Sequence, residues 1–249
     1  MNNTTNLNQL NLSKEMINNL ISIGYNTLTP IQEKSLPITL GGNDLIAKAK
    51  TGSGKTAAFG IPLLSKLDVK LFRIQAMVLC PTRELADQVA TELRKLAKFA
   101  HNIKITTLCG GVPYRPQVHS LSHKAHIIVG TPGRILKHLS ENNFETDHIN
   151  TLVLDEADRM LDMGFSEDIQ AIIDYLPKNR QTMLFSATYP SKTEILSKEI
   201  LTNPQYVEVE SLHSNDVIAQ NFYEASSHEN KIYGILKSRS EERRVGKRV

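Results

Sequence analysis

The 249-residue sequence predicts an α/β fold in which a parallel sheet carries helices on both faces. Between Asp44 and Pro204, short apolar runs alternate with longer amphipathic ones, and no internal repeat of about 20–50 residues is present. The short runs are apolar throughout, which is typical of strands buried on both faces of a parallel sheet. Ligands of such sheets bind beyond the carboxyl ends of the strands, so we expect the functional residues there.

Six strands are predicted, in chain order, by the runs DLIAKA, AMVLC, IKITTLC, HIIVG, TLVLD and TMLFSAT. The segment KTAAFGIPLLSKL after the first run predicts a helix, although Pro62 interrupts its middle. The segment ELADQVATELRKLAKFA after the second run also predicts a helix. Its apolar residues form one helical face, which consists of Leu85, Val89, Leu93, Leu96 and Phe99.

Composition places the chain among globular proteins, with 40% hydrophobic and 22% charged residues. The formal net charge is +3, and the last eleven residues, RSEERRVGKRV, carry five basic and two acidic side chains. The preceding 238 residues therefore hold 24 basic and 24 acidic residues. A neutral body excludes nucleic-acid binding through a bulk positive field, so any such contact must come from individually placed groups.

No apolar run approaches the roughly 20 residues that span a bilayer, and the first residues, MNNTTNLNQLN, are neither basic nor apolar. These features exclude the membrane and secreted classes. Cys80 and Cys109 lie in apolar, strand-like runs, which favours buried free thiols over a disulfide or a metal site and predicts a reducing, cytoplasmic location. The histidines His119, His123 and His126 lack metal-ligand spacing and are expected to face solvent.

The organisation of the chain predicts one complete domain and the beginning of another. We assign residues 1–23 to an Asn-rich segment with a first helix, residues 24–204 to the main domain and residues 205–216 to a polar linker. Residues 217–238 contain one strand-like and one helix-like run, which cannot bury their own apolar faces and so predict a truncated second domain. The basic tail, 239–249, is either disordered or the translated read-through of a sequencing adapter, which its wording resembles.

A phosphate-binding loop is predicted by AKTGSGKT, which follows a strand-like run and precedes a helix-like one. In such a loop glycines turn backbone N–H groups toward phosphate oxygens, the lysine reaches the terminal phosphates and the last hydroxyl binds magnesium. The alternative is a glycine-rich turn that only caps a helix. The candidate nucleotide-binding residues of the loop are Ala49, Lys50, Thr51, Gly52, Ser53, Gly54, Lys55 and Thr56.

Two carboxylates complete the expected hydrolytic site, because the apolar run TLVL ends directly in Asp155 and Glu156. Asp155, with Thr56, is placed to hold hydrated magnesium, and Glu156 to orient a water molecule. The predicted catalytic residues are therefore Lys55, Asp155 and Glu156. No arginine finger is evident, although Arg134 and Arg159 are candidates by residue type.

Seven motifs occur in the order YNTLTPIQ, AKTGSGKT, PTRELA, GG, TPGR, DEAD and SAT, and together they resemble the DEAD-box family of ATP-dependent RNA helicases. The resemblance runs from about Gly24 to the predicted linker. It implies a RecA-like P-loop domain, ATP and Mg²⁺ as ligands, RNA as a partner, and a second RecA-like domain that this sequence largely lacks. The wording CPTRELADQVA and DEADRMLDMGFS resembles that of bacterial members that act in assembly of the large ribosomal subunit.

The resemblance also implies a site for adenine. In the family the glutamine of the TPIQ segment reads the base, and the amide of Gln32 can both donate to and accept from adenine, which favours ATP over GTP. Tyr25 either packs near the base or belongs to the core. Where the family carries an upstream aromatic residue, this sequence offers Leu7 and Leu10.

PTRELA, GG and TPGR resemble the segments that bind one RNA strand by its backbone. Arginine, threonine hydroxyls and glycines suit phosphate contacts without reading base sequence, and 2′-OH contacts favour RNA. The same residues also suit ordinary strand-to-helix turns with caps, and both interpretations can hold together. The implied RNA-binding residues are Pro81, Thr82, Arg83, Gly110, Gly111, Thr131, Gly133 and Arg134.

SAT follows the run TMLF and should lie beside DEAD in a parallel sheet. In the family it links ATP hydrolysis to strand separation through hydrogen bonds with the last aspartate, which implies bonds from Asp158 to Ser186 or Thr188. The alternative is that these hydroxyls only cap the end of a strand.

The sequence thus predicts one half of an ATP-dependent RNA helicase that binds Mg-nucleotide and RNA weakly and hydrolyses ATP slowly or not at all by itself. Two competing functions remain open. One is an ATP-gated RNA clamp or assembly factor without true unwinding. The other is a DNA-directed P-loop motor, which the DEAD and SAT wording disfavours.

Overall fold

The computed structural model describes residues 7–209 and Ile232. The chain divides into two units, Met1–Ser211 and Leu212–Val249. Of the second unit only Ile232 is described, and it is helical and half exposed. Most of the predicted linker, the rest of the predicted second-domain start and the whole basic tail therefore lie outside the described residues.

Seven strands form one sheet in the order β3-β4-β2-β5-β6-β1-β7, and every neighbouring pair is parallel. The six predicted strands are all present. Within the described part of the chain the strands are β1 Leu45–Lys48, β2 Ala76–Leu79, β3 Ile105–Leu108, β4 Ile127–Gly130, β5 Thr151–Leu154, β6 Gln181–Ser186 and β7 Gln205–Glu208.

The seventh strand corrects the predicted linker boundary, because residues 205–208 belong to the sheet. They pair in parallel with β1, Leu45 opposite Gln205. Only Val207 of this edge strand is buried. A strand that buries one residue in four lacks the continuous apolar run on which the other six predictions depended, and its exposed polar residues look like a linker.

Helices cover both faces of the sheet, as predicted. The described helices are α1 Lys14–Ser22, α2 Pro30–Leu40, α3 Lys55–Ser65, α4 Arg83–Leu96, α5 Tyr114–Ser122, α6 Pro132–Ser140, α7 Ala157–Asp162, α8 Ser166–Asp174 and α9 Ser191–Ile200, with 3-10 turns at Leu7–Gln9 and Ala97–Phe99. Residues of α1–α4 pack into one hydrophobic core and residues of α5–α9 into another. The sheet separates these two cores, which is the layer architecture of a doubly covered parallel sheet.

The two helices nearest the site form for different reasons, α4 from its local sequence and α3 from tertiary packing. In α4 the predicted face is buried at Val89, Leu93 and Leu96, and Thr82 caps the helix by accepting a hydrogen bond from Leu85 N at 3.3 Å. Helix α3 continues through Pro62 to its end at Ser65. Nearly all of its residues are buried, so tertiary packing outweighs the local cost of the proline.

Two sequence predictions about chemistry-bearing side chains have different outcomes. Cys80 and Cys109 are buried free thiols, as expected. The prediction that His126 faces solvent is wrong: it is fully buried, with Nδ1 accepting from Lys104 N at 3.1 Å, whereas His119 and His123 are exposed. Among the described residues, none of the helices has the length and apolar character needed to span a bilayer.

The parallel sheet brings six of the seven motifs to the same edge, and YNTLTPIQ lies before β1 at the start of α2. The loops after β1, β5 and β6 carry AKTGSGKT, DEAD and SAT, and the loops after β2, β3 and β4 carry PTRELA, GG and TPGR. Because parallel strands end together, segments far apart in sequence become neighbours at the carboxyl edge.

Candidate active site

The phosphate loop leaves β1 and turns sharply into α3. Ala49 N donates to Ser186 O at 2.9 Å, which fixes the loop to the end of β6. Gly54, at φ +93°, caps α3, and a Cβ there would lie 2.5 Å from Gln32 Nε2. Glycine is therefore required at this position both by the left-handed backbone and by the close side chain.

Lys55, the first residue of α3, gives the clearest indication of an anion-binding site. The residue is only 6% exposed, and its Nζ makes no hydrogen bond to any described residue. The buried Ser53 hydroxyl also lacks a hydrogen-bond partner among these residues. A buried ammonium group without a partner is costly, and an anionic ligand would supply that partner.

A cavity of about 400 Å³ borders this loop. Its volume suits a mononucleotide-sized ligand rather than an ion alone. Its lining consists of Tyr25, Thr51, Gly52, Gly54, Lys55, Thr56, Ala57, Leu85, Gln88, Val89, Glu92, Asp155 and Glu156. The contribution of α4 to this wall was missed by sequence reasoning, although the helical spacing of positions 85, 88, 89 and 92 was available as a signal.

Asp155, at the end of β5, is buried in this cavity wall, and its Oδ1 accepts from Glu156 N at 3.0 Å. Burial raises the pKa of the Asp155 carboxyl from 3.8 to about 6, the charge of Lys55 opposes the shift, and Glu156 adds to it. A divalent cation would favour the ionised form of such a group. Asp155 and Thr56 therefore fit a magnesium site in their chemistry and in lining one cavity.

Glu156 has both carboxylate oxygens engaged. Thr51 Oγ1 donates to Oε1 at 3.0 Å, and Arg159 Nη1 donates to Oε2 at 3.3 Å. The residue caps α7 with φ +53°, an uncommon conformation for a residue other than glycine. Thr51 thus joins the phosphate loop directly to the candidate water-orienting carboxylate, a link that the motif spacing did not reveal.

Gln32 lies behind the phosphate loop and is 1% exposed. Its Oε1 accepts from Thr29 N and its Nε2 donates to Gly54 O, each at 3.0 Å, so the amide joins the start of α2 to the loop. Gln32 is absent from the lining of the described cavity, and reading of adenine by this residue stays a prediction. Tyr25 does line the cavity, and its hydroxyl donates to Glu92 Oε1 at 3.0 Å.

The residues upstream of Tyr25 belong to the core. Leu7 and Leu10 are 4% and 7% exposed and pack in the same hydrophobic cluster as α1–α4. They offer no aromatic ring for stacking on a base.

The DEAD and SAT segments meet as the sequence predicted, since β5 and β6 are neighbours. Asp158 Oδ2 accepts from Thr188 Oγ1 at 2.7 Å and from Thr188 N at 2.8 Å, and Ser186 Oγ accepts from Asp158 N at 3.3 Å. Burial favours the neutral acid, but the Thr188 hydrogen bonds outweigh it and hold the pKa of Asp158 below its ordinary value. The contact is in place; its role in coupling stays a prediction.

The predicted RNA-binding segments lie together along the other half of the edge, with most of their polar side-chain groups already paired. Thr131 Oγ1 accepts from Gly110 N at 3.3 Å, and Arg134 Nη1 donates to Val112 O at 3.1 Å. These bonds tie the GG segment to the TPGR segment. Arg134 also stacks over the ring of Tyr114, with 5.5 Å between its guanidinium carbon and the ring centroid.

The eight implied RNA-binding residues differ in exposure, and Thr82, Thr131 and Arg134 are half-buried. Arg83, Gly110, Gly111 and Gly133 are exposed, whereas Pro81 is buried and supports the turn rather than presenting a contact surface. Arg83 Nε lies 3.8 Å from Glu84 Oε1, a weak exposed pair that leaves the guanidinium available to solvent. Exposed glycines let a ligand approach the backbone closely.

Both candidates for an arginine finger have partners among the described residues. Arg134 bonds to Val112 O, and Arg159 pairs with Glu156. Three further polar residues near the GG segment had no motif to single them out: Tyr114, Gln117 and His138.

The chain is similar in sequence to known helicases. A model of the family described as DEAD/DEAH box helicase matches residues 29–196. The ATP-dependent RNA helicase DbpA of Escherichia coli is 54% identical over 216 residues, which cover 87% of this chain and 47% of DbpA. The DEAD-box ATP-dependent RNA helicase CshA of Geobacillus kaustophilus is 41% identical over 93% of this chain and 49% of CshA.

Solved structures of DEAD-box proteins share the fold of this chain. A DEAD box protein from the hyperthermophile Methanococcus jannaschii has a TM-score of 0.78 and 39% identity, covering 82% of this chain and 56% of that protein. Dbp5 of S. cerevisiae, bound to Gle1 and IP6, has a TM-score of 0.76 and 30% identity, with 83% and 52% covered. The chain spans about half the length of the curated relatives it matches.

Proposed function

Because the chain belongs to the DEAD/DEAH box helicase family, we propose that it is the ATP-binding and RNA-binding RecA-like domain of an ATP-dependent RNA helicase. The observation that carries this proposal is the buried Lys55 ammonium, which lacks a partner among the described residues and lines a cavity with Asp155 and Glu156. This constellation has the positive charge, the magnesium-binding oxygens and the water-orienting carboxylate that phosphoryl transfer to water requires.

At the phosphates, Lys55 and the backbone N–H groups of the glycine loop hold the oxygens of ATP, and Thr56 and Asp155 hold the metal. Mg²⁺ held by these residues would neutralise part of the phosphate charge. Asp155 must release its proton to do so, and its raised pKa makes the metal affinity fall below about pH 6. Glu156 would orient the attacking water with the lone pairs that Thr51 and Arg159 leave free.

At the other half of the edge, we assign one RNA strand to the exposed Arg83, Gly110, Gly111 and Gly133. Backbone and guanidinium groups of this kind bind phosphate and sugar without reading bases. Within the phosphate half, the carboxylate of Asp158 is held by Thr188 of the SAT segment, and we assign the coupling role to Asp158, Ser186 and Thr188. A rearrangement of that contact on hydrolysis would reach the RNA-binding segments.

The complete activity requires a second RecA-like domain to close over ATP. We therefore expect the 249-residue chain alone to bind Mg-nucleotide and RNA weakly and to turn over ATP slowly or not at all. The free thiols Cys80 and Cys109 support a reducing, cytoplasmic location. On the resemblance of its motif wording, we propose large ribosomal subunit assembly as the process, and depletion of the protein should then alter subunit profiles on sucrose gradients.

The test measures binding of a fluorescent ATP analogue with Mg²⁺ and RNA-stimulated ATP hydrolysis in the wild-type chain and in Glu156→Gln. We expect saturable nucleotide binding in both. In the complete protein, Glu156→Gln should keep nucleotide affinity and lose turnover. RNA-stimulated turnover of about 1 s⁻¹ or more by the isolated chain, a rate typical of ordinary enzymes, would contradict the need for a second domain.

A second candidate function is an ATP-gated RNA clamp without true unwinding. The observation in its favour is that both Glu156 oxygens already accept hydrogen bonds from Thr51 and Arg159, which leaves the carboxylate fewer lone pairs for a water molecule. Duplex-separation assays on the complete protein separate the two functions. Strand release that follows ATP turnover supports the helicase, and stable ATP-dependent RNA retention with no turnover-dependent release supports the clamp.

A further inference from the structure

A buried pair of side chains holds the base of the GG segment. Gln117 of α5 donates from Nε2 to Cys109 O at 3.0 Å, and Gln117 Oε1 lies 3.1 Å from His138 Nε2 of α6. Both side chains are buried, and neither belongs to a motif that the sequence analysis assigned to ligand binding. Cys109 directly precedes Gly110 and Gly111, the exposed residues proposed to approach RNA.

The direction of both hydrogen bonds follows from the chemistry of the partners. A peptide carbonyl only accepts, so the nitrogen of the Gln117 amide must face Cys109 and its oxygen must face His138. His138 Nε2 therefore carries the proton and donates. Nδ1 is left as an acceptor, and it is buried without a partner among the described residues.

The surroundings of His138 keep its ring neutral and immobile. The ring stacks on Tyr114, with 4.4 Å between centroids and 20° between planes. Burial, together with the charge of Arg134, lowers the pKa of His138 to about 4. The Tyr114 hydroxyl is itself held, donating to Glu141 Oε2 and accepting from Asn143 Nδ2, each at 2.7 Å.

The GG segment has three anchors, and the pair supplies the one that precedes the glycines. Thr131 Oγ1 accepts from Gly110 N, and Arg134 Nη1 donates to Val112 O on the far side. Gly111 lies between the anchors at φ +75°, in the left-handed region of backbone conformation that residues with a Cβ rarely adopt. A mobile glycine segment would lose conformational entropy on binding a ligand, and a segment fixed beforehand avoids that loss.

We propose that Gln117 and His138 are positioning residues: together they fix the Cys109 peptide group so that Gly110 and Gly111 present their backbone to an RNA strand in the bound conformation. The proposal rests on the RNA-binding function given above. It assigns to two buried side chains an effect on RNA affinity that is exerted without contact with RNA.

The first test replaces Gln117 by leucine in the 249-residue chain, which removes both hydrogen bonds at nearly constant volume. Binding of a fluorescein-labelled single-stranded oligouridylate, followed by anisotropy at low salt, should weaken about five- to tenfold, the effect of roughly one lost hydrogen bond. Affinity for a fluorescent Mg-nucleotide should stay within about twofold, because the cavity lies at the other half of the edge. Unchanged RNA affinity overturns the proposal.

A double variant separates positioning from stability. In His138→Phe with Gln117→Leu, both partners of the buried bond are replaced by apolar groups and the ring can still stack on Tyr114, so thermal stability should recover relative to Gln117→Leu alone. The Cys109 carbonyl still lacks its hydrogen bond from residue 117, so RNA affinity should stay low. Recovery of RNA affinity together with stability would show a merely structural role and overturn the proposal.

His126→Phe provides the matched control. His126 is also a fully buried, hydrogen-bonded histidine, but it precedes β4, whereas the TPGR segment follows that strand. This variant should lose stability and keep RNA affinity. A loss of RNA affinity equal to that of Gln117→Leu would attribute the effect to general destabilisation and contradict the proposal.

A spectroscopic measurement without RNA tests the segment itself. Backbone ¹⁵N order parameters of Gly110 and Gly111 should fall in Gln117→Leu and stay at wild-type values in His126→Phe. Unchanged order in Gln117→Leu overturns the positioning role. If the wild-type chain fails to bind the oligonucleotide while the order parameters fall as expected, the RNA-binding function is the statement that fails.

Discussion

The phosphate loop and the TPGR segment, in opposite halves of the carboxyl edge, differ in how their principal polar side chains are paired. At the phosphate end, Lys55 Nζ and Ser53 Oγ are buried without partners among residues 7–209, and burial raises the pKa of Asp155 to about 6. At the RNA end, the Thr131 hydroxyl and the Arg134 guanidinium already bond to the GG segment. The polar groups of the phosphate loop are therefore suited to bind an anionic ligand, whereas those of the TPGR segment hold the backbone of the GG segment in place.

Substitutions at the two ends should therefore differ in their effects on ligand affinity and on stability. A group without a protein partner contributes to ligand affinity and little to folding, because the free protein gains nothing from it. A group that bonds to the protein contributes to folding first and to ligand affinity through the segment it holds. The following predictions test this contrast, beginning with the largest expected effect.

Replacing Lys55 by methionine should weaken Mg-nucleotide binding about 100-fold, because the charge-assisted bonds to phosphate are lost. The thermal stability of the ligand-free chain should not fall. RNA affinity should also stay constant. Isothermal titration and thermal unfolding measure these quantities, with the exposed Lys178→Met as control. A marked loss of ligand-free stability would contradict the claim that Lys55 serves only the ligand.

Gly54→Ala should destabilise the chain by about 2 kcal/mol or more and should abolish nucleotide binding. The added Cβ would meet Gln32 Nε2 at 2.5 Å and Thr29 Oγ1 at 2.9 Å, in addition to the cost of φ +93°. Gly24→Ala is the matched control, since Gly24 has φ +92° with nothing within 4 Å of its Cβ. Equal losses in the two variants would show that backbone strain alone matters and that the Gln32 contact does not.

The pH dependence of stability should report on Asp155. Its pKa of about 6 in the folded state lies above the ordinary value of 3.8, so between these values the folded state holds a proton that the unfolded state has lost. The ligand-free chain therefore gains stability from this group as pH falls from about 6 toward 3.8. Asp155→Asn removes the effect.

The measurement is urea unfolding of both proteins in EDTA. As pH falls from about 6 toward 3.8, the free energy of unfolding of Asp155→Asn minus that of the wild type should decrease by at most about 1.4 kcal/mol for each pH unit. Above about pH 7 the difference should be constant. A difference that stays constant across the whole interval would place the folded pKa of Asp155 near its ordinary value.

The smallest effect is expected at the RNA end. Thr131→Val keeps the shape of the side chain and removes the acceptor of Gly110 N, so stability should fall by about 1 kcal/mol and RNA affinity should fall about two- to fivefold. Thr131→Ser should retain both. A loss of RNA affinity at unchanged stability would make the Thr131 hydroxyl a direct ligand and would break the contrast between the two ends.

Much of the fold could be predicted from the sequence, because strands buried on both faces consist of continuous apolar runs. The six runs from DLIAKA to TMLFSAT predicted six strands in their correct places. Strand β7 was missed because it buries only Val207, and His126 was misplaced because burial of a histidine depends on distant partners. Both errors concern residues whose environment is set by contacts far along the chain.

The sequence by itself determined the class of fold, the phosphate loop and the family, since these depend on residue types at short, fixed spacings. Only the tertiary structure decided that Gln32 bonds to Gly54 O, that Thr51 and Arg159 engage Glu156, and that Gln117 and His138 hold Cys109. A tertiary hydrogen bond leaves no periodic pattern in the sequence from which it could be predicted. Except for the local Arg159 pair, its partners here lie on different elements, and they become neighbours only when the parallel strands and their helices pack together.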